Sequence, residues 1–131
     1  MNLCVCLYPF PKNLPMKRVL VVDNYDSFVY NLVQILHEEP TCSFEVVTND
    51  HIPFDRLNEF DCLLLSPGPG VPEEAGDLLP LIDRCYQSHA MLGVCLGHQA
   101  IGQYFGARLT QMPAPKHGHP TSLKILDHQD I

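Results

Sequence analysis

Cys95 stands in "GVCLGHQ", with Gly93 and Gly97 each two positions away. An apolar run, "AMLGV" (90–94), precedes it, and a helical pattern, "LGHQAIGQYFG" (96–106), follows. A cysteine between two glycines at a strand-to-helix junction is the thiol form of the nucleophile elbow otherwise written G-x-S-x-G. Side chains at the flanking positions would collide with the neighbouring elements of so tight a turn. The helix start beneath Cys95 offers unpaired N–H groups and the positive end of a dipole, and both favour negative charge on sulfur. The backbone N–H of Leu96 is placed as one donor of an oxyanion hole.

A second segment fits the same chemistry. "SPGPG" (66–70) is a stiff turn whose glycines let a ligand approach the main chain. An N–H of Gly68 or Gly70 is the candidate second oxyanion donor. The turn alone is a weak signal, and its weight comes from the elbow.

These residues need a scaffold, and the chain patterns one. "RVLVVD" (18–23) is a β-branched run without alternation, as in a strand buried on both faces. "DSFVYNLVQILHEE" (26–39) reads as a helix with Phe28, Leu32, Ile35 and Leu36 on its apolar face and Asp26 or Ser27 as N-cap. Strands follow at 43–49 and 61–66. A helix at 76–87 takes Pro80 in its first turn or as a kink. The strand at 90–94 leads into the helix at 96–106, which Gly106 stops. Residues 107–112 and 121–126 read as strands. Strand and helix alternate, so the expected fold is α/β: an open, mostly parallel twisted sheet with helices on both faces. Ligands of such sheets bind at the carboxyl ends of strands, where both the 67–70 turn and Cys95 fall.

Bulk properties narrow the partners. The 131 residues suffice for one domain, and 46% hydrophobic against 18% charged residues describes a globular domain with a core. Net charge is −7 with no basic run, which argues against nucleic acid. No apolar stretch reaches the roughly 18–20 residues of a membrane span. Cys4, Cys6, Cys42, Cys62 and Cys85 read as structural or incidental thiols, and their scatter without C-x-x-C suits a reducing cytoplasm. Residues 1–15, "MNLCVCLYPFPKNLP", hold three prolines and no basic n-region. They read as a disordered extension ahead of a domain at 16–131. No metal or cofactor is expected.

Three segments together, "DNYDSFVYNL" (23–32), "LLLSPGPGVPEEAGD" (63–77) and "GVCLGHQAIG" (93–102), resemble class I glutamine amidotransferases. Within that family they are most similar to the small, glutamine-hydrolysing subunits of anthranilate synthase and aminodeoxychorismate synthase. "KHGH" (116–119) resembles the family's M-H-G-K loop, with Lys116 and His119 as departures. The resemblance implies that Cys95 attacks the side-chain amide of L-glutamine to form a γ-glutamyl thioester. It implies that Gly68, Pro69, Gly70, Leu96 and Gln99 line the glutamine site. It also implies delivery of ammonia to a chorismate-binding synthase subunit, in tryptophan or folate synthesis.

A thiolate of this kind works with a histidine oriented by a carboxylate, which the family takes from a downstream H-P-E motif. The seven histidines are His37, His51, His89, His98, His117, His119 and His128, and none precedes Pro-Glu. His98 lies one turn into the helix and is expected to project away from the sulfur. His119-Pro120 is followed by Thr121, and His117 and His128 read as loop residues. The expectation is that 16–131 is the N-terminal part of an amidotransferase domain whose acid/base lies past Ile131. Rival readings are a non-catalytic synthase-binding partner and a different cysteine hydrolase. "DNYDSF" and Gln99 speak against the last.

Overall fold

The computed structural model describes residues 15–111 together with 113, 114, 120 and 122. Four strands form one sheet: β1 (Lys17–Asp23), β2 (Cys42–Thr48), β3 (Cys62–Leu65) and β4 (Ala90–Gly93). Their order is β2-β1-β3-β4, and every pairing is parallel. Helix α1 (Val29–Glu38) links β1 to β2, α2 (Leu78–Cys85) links β3 to β4, and α3 (Leu96–Tyr104) follows β4.

The run Val19–Val22 is buried throughout because both faces of β1 are covered. Val19 and Val21 pack with Leu64 and Val29 beneath α1. Leu20, Val22, Leu63 and Leu65 pack with Leu78, Leu81, Ile82 and Leu96 beneath α2 and α3. Helices thus lie on both faces of a parallel sheet, as the sequence pattern requires. Pro80 occupies the first turn of α2, where its missing N–H costs no intrahelical bond.

Several local expectations are corrected. Neither Asp26 nor Ser27 caps α1: Asp26 Oδ1 accepts from the Phe28 N–H at 2.8 Å, and this turn delays the helix to Val29. The shift changes the buried face. Phe28 and Ile35 are exposed, while Val29, Leu32, Val33 and Leu36 meet the sheet. The helix at 76–87 is shorter, with a 3₁₀ turn (Pro72–Glu74) ahead of it that periodicity does not register. Another 3₁₀ turn, Leu57–Glu59, precedes β3. Residues 107–111 form no strand; Ala107 instead closes α3 by donating to Gly102 O at 2.9 Å. The expectations for 1–14, for the strand at 121–126 and for "KHGH" lie outside the described residues.

On the α2/α3 side of β2, Val47 packs against the core and Glu45 is held by ion pairs. Glu45 takes Arg18 and Arg56 at 3.1 Å each, and Glu59 takes Arg18 at 2.8 Å and Arg56 at 3.1 Å. The Arg18 guanidinium also lies 4.7 Å from the centre of the buried Phe60 ring.

Candidate active site

Cys95 is the N-cap of α3, immediately past β4. Its backbone has φ 51° and ψ −107°, a left-handed conformation that residues with a Cβ seldom take. The hydrogen bonds around it force this turn. Val94 N–H donates to Leu65 O at 2.9 Å and so extends the β3 ladder to the last residue before the bend. Cys95 O already accepts from the Gln99 N–H at 2.9 Å and starts the helix. One residue therefore makes the whole reversal from strand to helix. The Cys95 side chain is left exposed at the carboxyl end of the sheet.

The glycines at 93 and 97 are there for the reason read from the sequence. A Cβ on Gly93 would overlap the main chain of Gly97 and His98, and one on Gly97 would overlap the Leu65 carbonyl. The helix start is thereby seated directly on β3.

The 67–70 turn reaches the same place. A Cβ on Gly68 would meet Leu96 Cδ2 at 2.6 Å and the Asn24 carbonyl oxygen at 2.8 Å. Gly68 thus lies between the end of β1 and the residue after Cys95. Pro69 and Gly70 are exposed, with Gly70 at φ 73°. The Leu96 side chain is fully buried, so this residue offers only its N–H, which at the first helical position has no intrahelical acceptor. Gln99 is half-buried one turn into α3.

Sequence reading missed the polar floor of this region. Asn24, Asn49 and Ser66 are buried at the carboxyl ends of β1, β2 and β3. Asn24 Nδ2 donates to Ser66 O at 2.8 Å, Asn49 Nδ2 donates to Asn24 Oδ1 at 3.1 Å, and the Asn24 N–H donates to Ser66 Oγ at 2.9 Å. A signal did exist: "VVDN" (21–24) and "VVTN" (46–49) end adjacent strands in register, Asp23 opposite Thr48.

The described histidines are engaged elsewhere or face solvent. His51 Nδ1 lies 2.9 Å from Asp50, His89 Nε2 lies 3.0 Å from Leu57 O, and the His37 ring lies tilted at 57° to that of Phe44. His98 is exposed, and the Cys95 side chain makes no capping hydrogen bond to the start of α3. Burial pushes the Cys42 and Cys85 thiols above their ordinary pKa. One groove opens beside Arg84 and His89 and another beside Gln103 and Arg108, and Cys95 lines neither of these. No three His, Cys, Asp or Glu side chains among the described residues are grouped to hold a metal ion. No described helix is long and apolar enough to cross a membrane.

A parallel α/β sheet with a strained cysteine at a strand-to-helix elbow defines the class of this domain. The chain belongs to the class I glutamine amidotransferase family, whose model matches residues 20–129. It is 47% identical over 110 residues to anthranilate synthase component 2 of Mycobacterium tuberculosis, covering 81% of this chain and 47% of that one. It is 47% identical over 112 residues to the Thermus thermophilus component 2, covering 82% and 53%. The bifunctional protein TrpGD of Thermotoga maritima is 42% identical over 116 residues, covering 86% of this chain and 20% of its own length. Among solved structures, a Thermoplasma acidophilum protein described as a GMP synthase subunit superposes with a TM-score of 0.66 at 29% identity. That match covers 81% of this chain and 53% of the other. The chain spans about half the length of the component 2 relatives, and a fifth of TrpGD.

Proposed function

We propose that Cys95 is the nucleophile of a glutamine-hydrolysing site that serves a chorismate-aminating synthase. The observation that carries this reading is the Cys95 backbone, held at φ 51° so that an exposed sulfur tops a helix start. The thiolate attacks the amide carbon of the glutamine side chain. The oxyanion that forms is held by the Leu96 N–H and by an N–H of Gly68 or Gly70. The carbon–nitrogen bond breaks, ammonia leaves with a proton from a general acid, and a γ-glutamyl thioester remains. Water cleaves the thioester to glutamate and returns a proton to the sulfur. Pro69 shapes the turn, and Gln99 flanks the glutamine.

The name of the component 2 relatives supports a partner synthase component, and in this reading that partner binds chorismate and takes up the ammonia. The product is anthranilate or 4-amino-4-deoxychorismate. The second reading, a synthase-binding partner without glutaminase of its own, is favoured by one observation: among the described residues the imidazole hydrogen bonds go to Thr48, Asp50, Ser88 and Leu57, and none goes to Cys95. Labelling by a chloroketone analogue of glutamine separates the two. The first reading expects modification of Cys95 and its loss in Cys95→Ser. Labelling that persists in Cys95→Ser overturns it.

A further inference from the structure

We propose that the buried Asn24–Asn49–Ser66 cluster is the positioning device that holds the Pro67–Gly70 turn against the Cys95 elbow. It thereby sets how a glutamine-like ligand is presented to the sulfur. This rests on the glutaminase reading above.

The three residues are 1%, 6% and 0% exposed, in a region where an unpaired amide would be costly. They are satisfied by one another and by the main chain that enters the turn. The Ser66 carbonyl, one residue before Pro67, is gripped by Asn24 Nδ2. Ser66 Oγ accepts from the Asn24 N–H and donates to Pro67 O at 2.8 Å. The Ser66 N–H donates to Val22 O at 3.1 Å, so both polar ends of its main chain are tied to β1 and its exit.

Asn49 fixes Asn24 in turn. Its Nδ2 holds Asn24 Oδ1, its N–H donates to Asp23 O at 3.0 Å, and its carbonyl accepts from the Asp77 N–H at 2.8 Å at the head of α2. Past Pro67, the chain rests on the same residue. A Cβ on Gly68 would meet both Asn24 Cβ at 2.5 Å and Leu96 Cδ2 at 2.6 Å. Asn24 is therefore a shared floor, bonded to the residue before the turn and in contact with the glycine inside it. Leu96, the neighbour of Cys95, crowds the same glycine. A satisfied buried network of this kind fixes one arrangement where apolar packing would tolerate several.

The test compares two electrophiles on the full chain, reading modification of the Cys95 peptide by mass spectrometry. The glutamine chloroketone needs the turn in place; iodoacetamide needs only an accessible sulfur. In Asn24→Ala the chloroketone rate is expected to fall on the order of 100-fold, since displacements of about 1 Å in a positioned site cost that much. The iodoacetamide rate is expected to hold. Ser66→Ala, which removes only a hydroxyl, serves if Asn24→Ala does not fold, and is expected to lower the chloroketone rate in the same selective way. An unchanged chloroketone rate in a folded variant overturns the proposal. Wild type that takes iodoacetamide but not the chloroketone overturns the glutaminase reading instead. Amide exchange then decides the positioning claim: faster exchange at Gly68 and Gly70 in the variants supports it, and unchanged exchange overturns it.

Discussion

Gly97 sits directly on the Leu65 carbonyl, so closely that even a Cβ on Gly97 would overlap the β3 main chain. The contact joins the first turn of α3 to the strand beside the elbow. Gly97→Ala cannot relieve the overlap by turning a side chain, because the obstacle is backbone. The expected cost is about 2–3 kcal/mol, the upper range for overpacking. Urea denaturation checks this value, and a cost below about 1 kcal/mol would show that α3 can lift off β3 freely.

The strain at Cys95 gives the opposite sign. A non-glycine residue in this region of φ and ψ costs about 1–3 kcal/mol. Cys95→Gly removes that cost and adds about 0.5–1 kcal/mol of chain entropy. The variant is expected to be about 1 kcal/mol more stable while losing the reactive thiol. A destabilised Cys95→Gly would mean that the turn is not strained.

Much of this site was legible because its signals are local. The spacing Gly93–Cys95–Gly97 encodes a turn, and the β-branched runs encode buried strands. The pattern misleads where a local backbone bond or a positive-φ glycine overrides it. Asp26 holds the Phe28 N–H and moves the start of α1, which turns Phe28 and Ile35 outward. Ala107 reads as the start of a strand yet closes a helix, because Gly106 takes φ 88° and redirects the chain. The Asn24–Asn49–Ser66 cluster was invisible for another reason. Its members lie 25 and 42 positions from Asn24, and only the strand order brings them together.

Two glycines at the end of α3 should respond in opposite directions. A Cβ on Gly102 would meet Ala107 Cβ at 3.6 Å, an ordinary contact, so Gly102→Ala is expected to stabilise by about 0.5–1 kcal/mol. A Cβ on Gly106 meets nothing, but φ 88° penalises it, and Gly106→Ala is expected to cost about 1 kcal/mol. Thermal melts of the two variants check the pair, and shifts of the same sign would contradict it.

Stability should fall at both pH extremes for separate reasons. Arg56 holds the Glu59 carboxyl below its ordinary pKa, and the Arg18 N–H and then Lys17 do the same for Asp61. A folded pKa below the unfolded one gives a contribution present above about pH 4 and lost as pH falls through the folded value. Glu59→Gln is expected to flatten that acid limb. At the other extreme, the Asp83 carboxylate accepts from the Tyr104 hydroxyl at 2.7 Å and pushes its pKa up to about 12. This contribution is present below the unfolded value of about 10 and is lost as pH rises through the folded one. The Asp50 carboxylate raises Tyr25 in the same direction, so absorbance titration of tyrosinate should show a late-titrating fraction that Tyr104→Phe reduces. Urea midpoints followed across pH measure both limbs.

A covalent bond from Cys95 to the side-chain carbon of glutamine is what the proposed function requires above all. The most direct measurement is acid quenching of the protein with glutamine, followed by peptide mass spectrometry. The expected result is a γ-glutamyl adduct on the Cys95 peptide that is absent with asparagine and absent in Cys95→Ser. No adduct on Cys95, or an adduct of equal yield on Cys95→Ser, would contradict it.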